Sequence, residues 1–156
     1  MIELTPVTGG SDLEEARTLF REYADGLGVD LCFQGFDAEL AGLPGDYAPP
    51  GGMLVLARVD GAVAGCVAAH RWDADGCEMK RLYVRDAFRG TGCGGALVRH
   101  VLDWARDGGF RRVLLDTLPS MASAQRMYER LGFRETEPYR PNPVPGARYL
   151  ALDLGD

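Results

Sequence analysis

The sequence predicts an α/β fold: one mixed sheet with helices on both faces. Three observations predict it. Short apolar runs with strand character alternate with segments of helical period. An Asp60-Gly61 pair between two apolar runs marks an antiparallel hairpin. A strand, glycine loop, helix and strand in succession mark a parallel crossover. At 156 residues, 46% hydrophobic and 26% charged, the chain suits one domain over residues 1–156 with a sizeable core.

Each element follows from its own pattern. Ile2-Glu3-Leu4-Thr5-Pro6-Val7 alternates as a strand. Ser11 and Glu14 have the spacing of a capping box, S-x-x-E. Leu13, Ala16, Phe20, Tyr23 and Leu27 then recur at helical spacing, and Gly26 and Gly28 end that helix. A short helix is expected over Asp37 to Leu43, and a Pro/Gly-rich loop over Pro44 to Gly52. Met53 to Val59 and Ala62 to His70 flank the Asp60-Gly61 turn. Cys77 to Val84 follows the turn signal Asp73-Ala74-Asp75-Gly76, so the three runs should form an antiparallel meander.

After the glycine-rich loop, Leu97, Val101, Trp104 and Ala105 share one helix face, and Gly108-Gly109 stops it. Val113-Leu114-Leu115 is a short apolar strand, expected to run parallel to Cys77–Val84. Ala124, Met127, Tyr128 and Leu131 form the stripe of a last helix, stopped by Gly132. Pro138 to Gly146 is a proline-rich loop, and Tyr149 to Leu154 alternates as a final strand. The order is β-α-α-β-β-β-α-β-α-β, with one more strand allowed near Phe133.

The net charge of −6 gives no broad attraction to nucleic acid. The start, Met1-Ile2-Glu3-Leu4, lacks the basic and apolar regions of a signal peptide, and no apolar run reaches membrane-spanning length. Cys32, Cys66, Cys77 and Cys93 show neither zinc spacing nor a disulfide framework. They read as free thiols of a cytoplasmic protein without a metal site.

The most informative stretch is Arg89-Gly90-Thr91-Gly92-Cys93-Gly94-Gly95-Ala96. It follows Leu82-Tyr83-Val84 and opens a helix. Dense glycine lets backbone approach a ligand, and the first N–H groups of a helix lack partners, so the stretch reads as a phosphate cradle. A nucleotide P-loop would end in Gly-Lys-Ser/Thr, which Gly95-Ala96 does not supply. A dinucleotide fold would place its glycines after the first strand. A flexible glycine turn is the remaining local reading.

Arg89-Gly90-Thr91-Gly92-Cys93-Gly94 resembles the R/Q-x-x-G-x-G/A signature of the GNAT superfamily, the Gcn5-related N-acetyltransferases. Met79-Lys80-Arg81-Leu82-Tyr83-Val84 looks like that family's fourth strand. Ala124-Gln125-Arg126-Met127-Tyr128-Glu129-Arg130-Leu131-Gly132-Phe133 is similar to its A-x-x-x-Y-x-x-x-G-F motif. The resemblance covers nearly the whole chain. It implies an acetyl-CoA-dependent N-acetyltransferase with splayed central strands, in which Arg89, Gly90, Thr91, Gly92, Cys93, Gly94 and Gly95 hold the pyrophosphate. The pantetheine arm would pair with backbone at Leu82 and Val84. Many relatives carry Asn where this chain has Met121; Ser123 is the expected substitute contact.

Direct transfer in a ternary complex sets four tasks: deprotonate an amine, hold a thioester, stabilise an oxyanion and protonate a thiolate. By the resemblance, the N–H near Leu82 meets the oxyanion, and Tyr128 protonates the thiolate. Glu78 takes the amine's proton, directly or through water. From local pattern alone, Tyr128 is a core tyrosine and Glu78 a solvated strand residue or partner of Lys80 or Arg81. Cys93, at a helix start, would have a lowered thiol pKa; an acyl-cysteine route is the minor alternative. His70 and His100 look unexceptional, and Trp72 and Trp104 read as packing.

The acceptor is an amine on a small molecule or peptide, with no nucleic acid or membrane partner; fold analogy allows a homodimer. Arg140 reads first as a solvated loop arginine and second as a clamp for an acceptor carboxylate. The prolines around it suggest a stiff flap, and Tyr47 with Pro49-Pro50 would close the site from the other side. A non-catalytic acyl-CoA-binding module and a nucleotide-binding regulator are the competing functions.

Overall fold

The computed structural model describes residues 1–27 and 35–155. Gly28 and Cys32 lie outside the described residues. Eleven strands and helices among the described residues follow the expected order: β1 (Ile2–Pro6), α1 (Gly10–Leu27), α2 (Phe36–Gly42), β2 (Gly52–Val59), β3 (Ala62–Arg71), β4 (Gly76–Val84), α3 (Cys93–Asp107), β5 (Arg112–Thr117), α4 (Ala122–Arg130), β6 (Arg134–Glu135) and β7 (Arg148–Asp153), with a short 3₁₀ turn at Gly45–Tyr47 before β2. The allowed extra strand is β6. No helix among the described residues is long and apolar enough to cross a membrane.

The sheet runs β1-β2-β3-β4-β5-β7-β6. β2, β3 and β4 form the antiparallel meander, and β4 pairs parallel with β5 across α3. Asp60 and Gly61 both take positive φ, 51° and 87°, as the tight hairpin requires. The period-two pattern divides the core between the two faces. Met53, Val55 and Ala57 of β2 pack with Leu97, Val101 and Ala105 of α3. Leu54 and Leu56 of the same strand pack with Ala16, Leu19 and Phe20 of α1. Each buried Met, Val, Leu or Phe side chain among them contributes about 1.5–3 kcal/mol of transfer free energy.

One local expectation fails. Helix α1 already begins at Gly10, so Ser11 sits inside its first turn. Glu14 bonds Arg17 one turn onward and does not reach back to cap.

The bend that shapes the site lies in β4. Its pairing with β3 shifts by one residue between Cys66/Tyr83 and Ala68/Lys80. The extra residue is Arg81, held at φ 61°, a left-handed conformation that costs a non-glycine residue about 1–2 kcal/mol. Two charge-assisted bonds from Arg81 to Glu39, at 2.9 and 3.0 Å, offset that cost. Gly65 permits the close approach beside the bulge, since a Cβ there would lie 2.3 Å from the Tyr83 carbonyl oxygen. The bulge reverses side-chain parity: Met79 packs on the α3 side before it, and Leu82 and Val84 pack there after it.

Candidate active site

The β4–β5 ladder is short. It pairs Gly76, Cys77 and Glu78 with Arg112, Val113 and Leu114, and goes no further. Beyond the bulge the strands part, leaving a gap lined by Lys80, Leu82, Leu115, Met121 and Tyr128. The Arg85 N–H bonds the Ala64 carbonyl of β3. Strand alternation therefore turns the backbone groups of Leu82 and Val84 toward the open β5 side. That edge offers an extended ligand a row of donors and acceptors.

The glycine loop stands beside this gap. Gly90 and Gly92 hold φ 81° and 88°, and Gly92 caps α3. The first intrahelical bond runs from the Ala96 N–H to the Gly92 carbonyl. The N–H groups of Gly94 and Gly95 have no partner among the described residues, as an anion cradle requires. Thr91 Oγ1 accepts a long bond, 3.4 Å, from the Cys93 N–H. Arg89 is exposed and pairs with Asp86 at 3.1 Å. Sequence reasoning missed Arg99, whose Nη2 lies 3.2 Å from where a Cβ on Gly95 would stand. The i,i+4 spacing from Gly95 to Arg99 was the available signal.

Cys93 corrects an expectation. Its side chain faces the core at 1% exposure, and burial pushes its thiol pKa up rather than down. A buried thiol with a raised pKa is a poor nucleophile. Tyr128 is buried, yet its hydroxyl makes no hydrogen bond among the described residues and its side chain lines the gap. Burial, with Tyr23 and Asp116 adding to it, raises the phenol pKa above its ordinary value. Met121 lines the gap as well, and its sulfur accepts from Thr117 Oγ1 and the Leu118 N–H at 3.5 Å. Ser123 is exposed and accepts a bond from Arg126; it does not line the gap.

Glu78 is not a solvated strand residue. It has 0% exposure and gathers three donors. His70 Nε2 lies 2.9 Å from Oε1, the Tyr139 hydroxyl donates to Oε2 at 2.7 Å, and Arg140 Nη2 donates to Oε1 at 2.6 Å. Burial pushes the Glu78 carboxyl up. The His70 bond, the Lys80 and Arg140 charges and the Tyr139 bond outweigh it and hold the group below its ordinary pKa. An ionised carboxylate only accepts, so His70 carries its proton on Nε2 and turns Nδ1 outward from the pair.

Arg140 likewise differs from the solvated reading. It is 17% exposed, bonded to Glu78, and stacked 4.7 Å from the Trp72 ring centroid. The proline-rich segment is thus a latch across the sheet end. Tyr139 and Arg140 hold Glu78, Asn142 donates to Asp116 at 3.0 Å, and the Tyr149 hydroxyl donates to the Arg140 carbonyl at 2.6 Å.

These groups border a cleft of about 380 Å³ lined by Glu39, Asp46, Tyr47, His70, Lys80 and Arg140, with small residues of α2 at its mouth. Tyr47 forms its other wall, edge-on to His70 at 5.9 Å. Lys80 lines both the cleft and the β4–β5 gap, joining them. Among the described residues, His, Cys, Asp and Glu form no cluster of three that would hold a metal ion.

A parted strand pair beside an open glycine-capped helix defines an acyltransferase architecture, and comparison with known proteins agrees. The model of the acetyltransferase (GNAT) family matches residues 14–133. The chain belongs to that family and is an acetyltransferase. An uncharacterized N-acetyltransferase of Schizosaccharomyces pombe is 40% identical over 155 residues, 98% of this chain and 95% of that protein. N-acetylaspartate synthetase of Rattus norvegicus is 40% identical over 109 residues, 69% of this chain and 36% of that protein. A GNAT acetyltransferase structure from Staphylococcus aureus superposes with TM-score 0.81 at 22% identity, covering 99% of both chains. A GNAT acetyltransferase of Elizabethkingia anophelis, solved with acetyl-CoA bound, superposes with TM-score 0.66 at 24% identity over 97% of both chains. The two structures show the shared fold.

Proposed function

We propose that this protein transfers an acetyl group from acetyl-CoA to the primary amine of a small acceptor, directly, in a ternary complex. One observation carries the reading: the gap where β4 leaves β5 lies beside the glycine-capped α3 and shares Lys80 with a second, partly open cleft. Acetyl-CoA as the shared co-substrate is supported by the bound acetyl-CoA in the Elizabethkingia anophelis relative. An amino-acid acceptor is in keeping with the name of N-acetylaspartate synthetase.

Each task falls to a named group. The N–H groups of Gly94 and Gly95, with Arg89 and Arg99 nearby, receive the pyrophosphate; Gly90, Thr91, Gly92 and the Cys93 backbone shape the turn. Leu82 and Val84 pair their backbone with the pantetheine arm, and the Leu82 N–H donates to the developing oxyanion. The acceptor nitrogen attacks the acetyl carbonyl carbon; a C–N bond forms and the C–S bond breaks. The sulfur leaves as a thiolate facing Tyr128. A phenol pKa raised by burial keeps Tyr128 protonated throughout the neutral range, so it always presents a donor to that thiolate. The amine's proton passes to His70 Nδ1. Glu78 acts through His70 as a positioning residue, since it has no surface of its own in the cleft.

Thiol release from acetyl-CoA across amines, amino acids, polyamines and peptides tests this reading. Amine-dependent release is expected, with Tyr128→Phe and His70→Gln lowering kcat and leaving coenzyme A affinity in place. If the Tyr128→Phe rate and pH profile match the wild type, the acid role is wrong. Coenzyme A binding without turnover of any amine would leave the non-catalytic reading.

A further inference from the structure

The inner wall of the cleft holds more cationic donors than its own carboxylates use. Glu39 is taken by Arg81 through two bonds. Glu78 is taken by His70, Tyr139 and Arg140. Lys80, half-buried on the same wall, makes no hydrogen bond or ion pair among the described residues. Arg140 gives Nη2 to Glu78, and its buried Nε has no partner. The remaining lining carboxylate, Asp46, is exposed at the rim, where water and salt screen it.

An ammonium this enclosed without a counter-ion is costly. Burial, then repulsion from Arg81 and Arg140, brings Lys80 down to about 8 even with Glu78 and Glu39 near. An anion beside Lys80 and Arg140 would relieve both. Arg140 lines the cleft and its guanidinium is already fixed by Trp72 and Glu78, so the donors it exposes there need no further ordering; its buried Nε is not among them. Lys80 also borders the β4–β5 gap, so an anion held by it stands beside that gap. The cleft volume matches a small molecule.

We infer that the acceptor is an amino acid or related amine whose carboxylate is held by Arg140 and Lys80. This rests on the acetyltransferase reading above. It excludes simple amines and polyamines as good substrates.

The test compares matched pairs that differ by one carboxylate: alanine with ethylamine, phenylalanine with phenethylamine, aspartate with β-alanine. Thiol release from acetyl-CoA should favour the more carboxylated member by about tenfold or more in kcat/KM. Lys80→Met leaves no partner orphaned; it should raise KM for the amino acid and erase most of that preference, with KM for acetyl-CoA unmoved. Equal turnover within each pair overturns the carboxylate inference and leaves acetyl transfer intact. If no amine is turned over, acetyl transfer fails instead. Calorimetry of the same pairs on coenzyme A-loaded protein then decides the carboxylate site: selective heat from the amino acids supports it, and no selective heat overturns it.

Discussion

The two sides of the gap are built from different materials. On the side proposed for the cofactor, the free groups are backbone: the Gly94 and Gly95 N–H groups at the α3 start and the open edge of β4 at Leu82 and Val84. On the side proposed for the acceptor they are side chains from distant segments: His70 of β3, Lys80 of β4 and Arg140 of the proline-rich latch line the cleft, with Glu78 and Tyr139 holding His70 and Arg140 from behind. Backbone donors do not depend on side-chain identity, so they suit a co-substrate common to a family. Side chains tied to one buried carboxylate suit selection of one acceptor. The contrast teaches where changes should cause general loss of cofactor binding and where they should change substrate choice.

The sharpest way to break the contrast is at Glu78. Glu78→Ala leaves Arg140 and His70 unpaired in a buried place, at a cost of about 3–5 kcal/mol. Thermal denaturation should show Tm falling by on the order of 10 °C, while any folded fraction still binds coenzyme A. Acid should act through the same group. Its folded pKa lies below the ordinary value, so its stabilisation is complete above about 4.3, the unfolded value. It is lost as pH falls through the lower folded value. Denaturant titrations below pH 5 should therefore show a steeper loss in the wild type than in Glu78→Gln.

Next in size is Tyr128→Phe, expected to lower kcat about 100-fold, near 2.7 kcal/mol of barrier, without weakening coenzyme A. Gly92→Ala forces a side chain onto φ 88° at the α3 cap, about 1–2 kcal/mol of strain. Coenzyme A titration should weaken about fivefold to thirtyfold, with the preference among acceptors unchanged. Arg89→Gln should be smallest. Its exposed pair with Asp86 holds little stability, so Tm should barely move, and coenzyme A affinity should fall a few-fold, most visibly at low salt.

The same contrast explains what could be read in advance. The strand order, the Asp60-Gly61 hairpin and the glycine loop are local, because glycine position and period two or 3.6 dictate backbone form. The bulge at Arg81 was invisible: a left-handed arginine is set by its bonds to Glu39, which is 42 residues away. Glu78 was read with its strand neighbours Lys80 and Arg81, whereas its partners Tyr139 and Arg140 lie 61 and 62 residues on. His70 and Trp72 looked plain for the same reason. Their spacing of two residues across the end of β3 is a signal that acquires meaning only when the latch closes over them. Ser123 and Met121 show how a helix start turns about half a revolution in two residues: the methionine faces the gap and the serine faces water.

A structure with coenzyme A bound tests the central claim most directly. The account predicts the pyrophosphate on the Gly94 and Gly95 N–H groups, the pantetheine arm along Leu82 and Val84, and the sulfur within about 3–3.5 Å of the Tyr128 hydroxyl. A sulfur that leaves the β4–β5 gap, or lies beyond reach of Tyr128 with the gap still closed to it, would contradict the account.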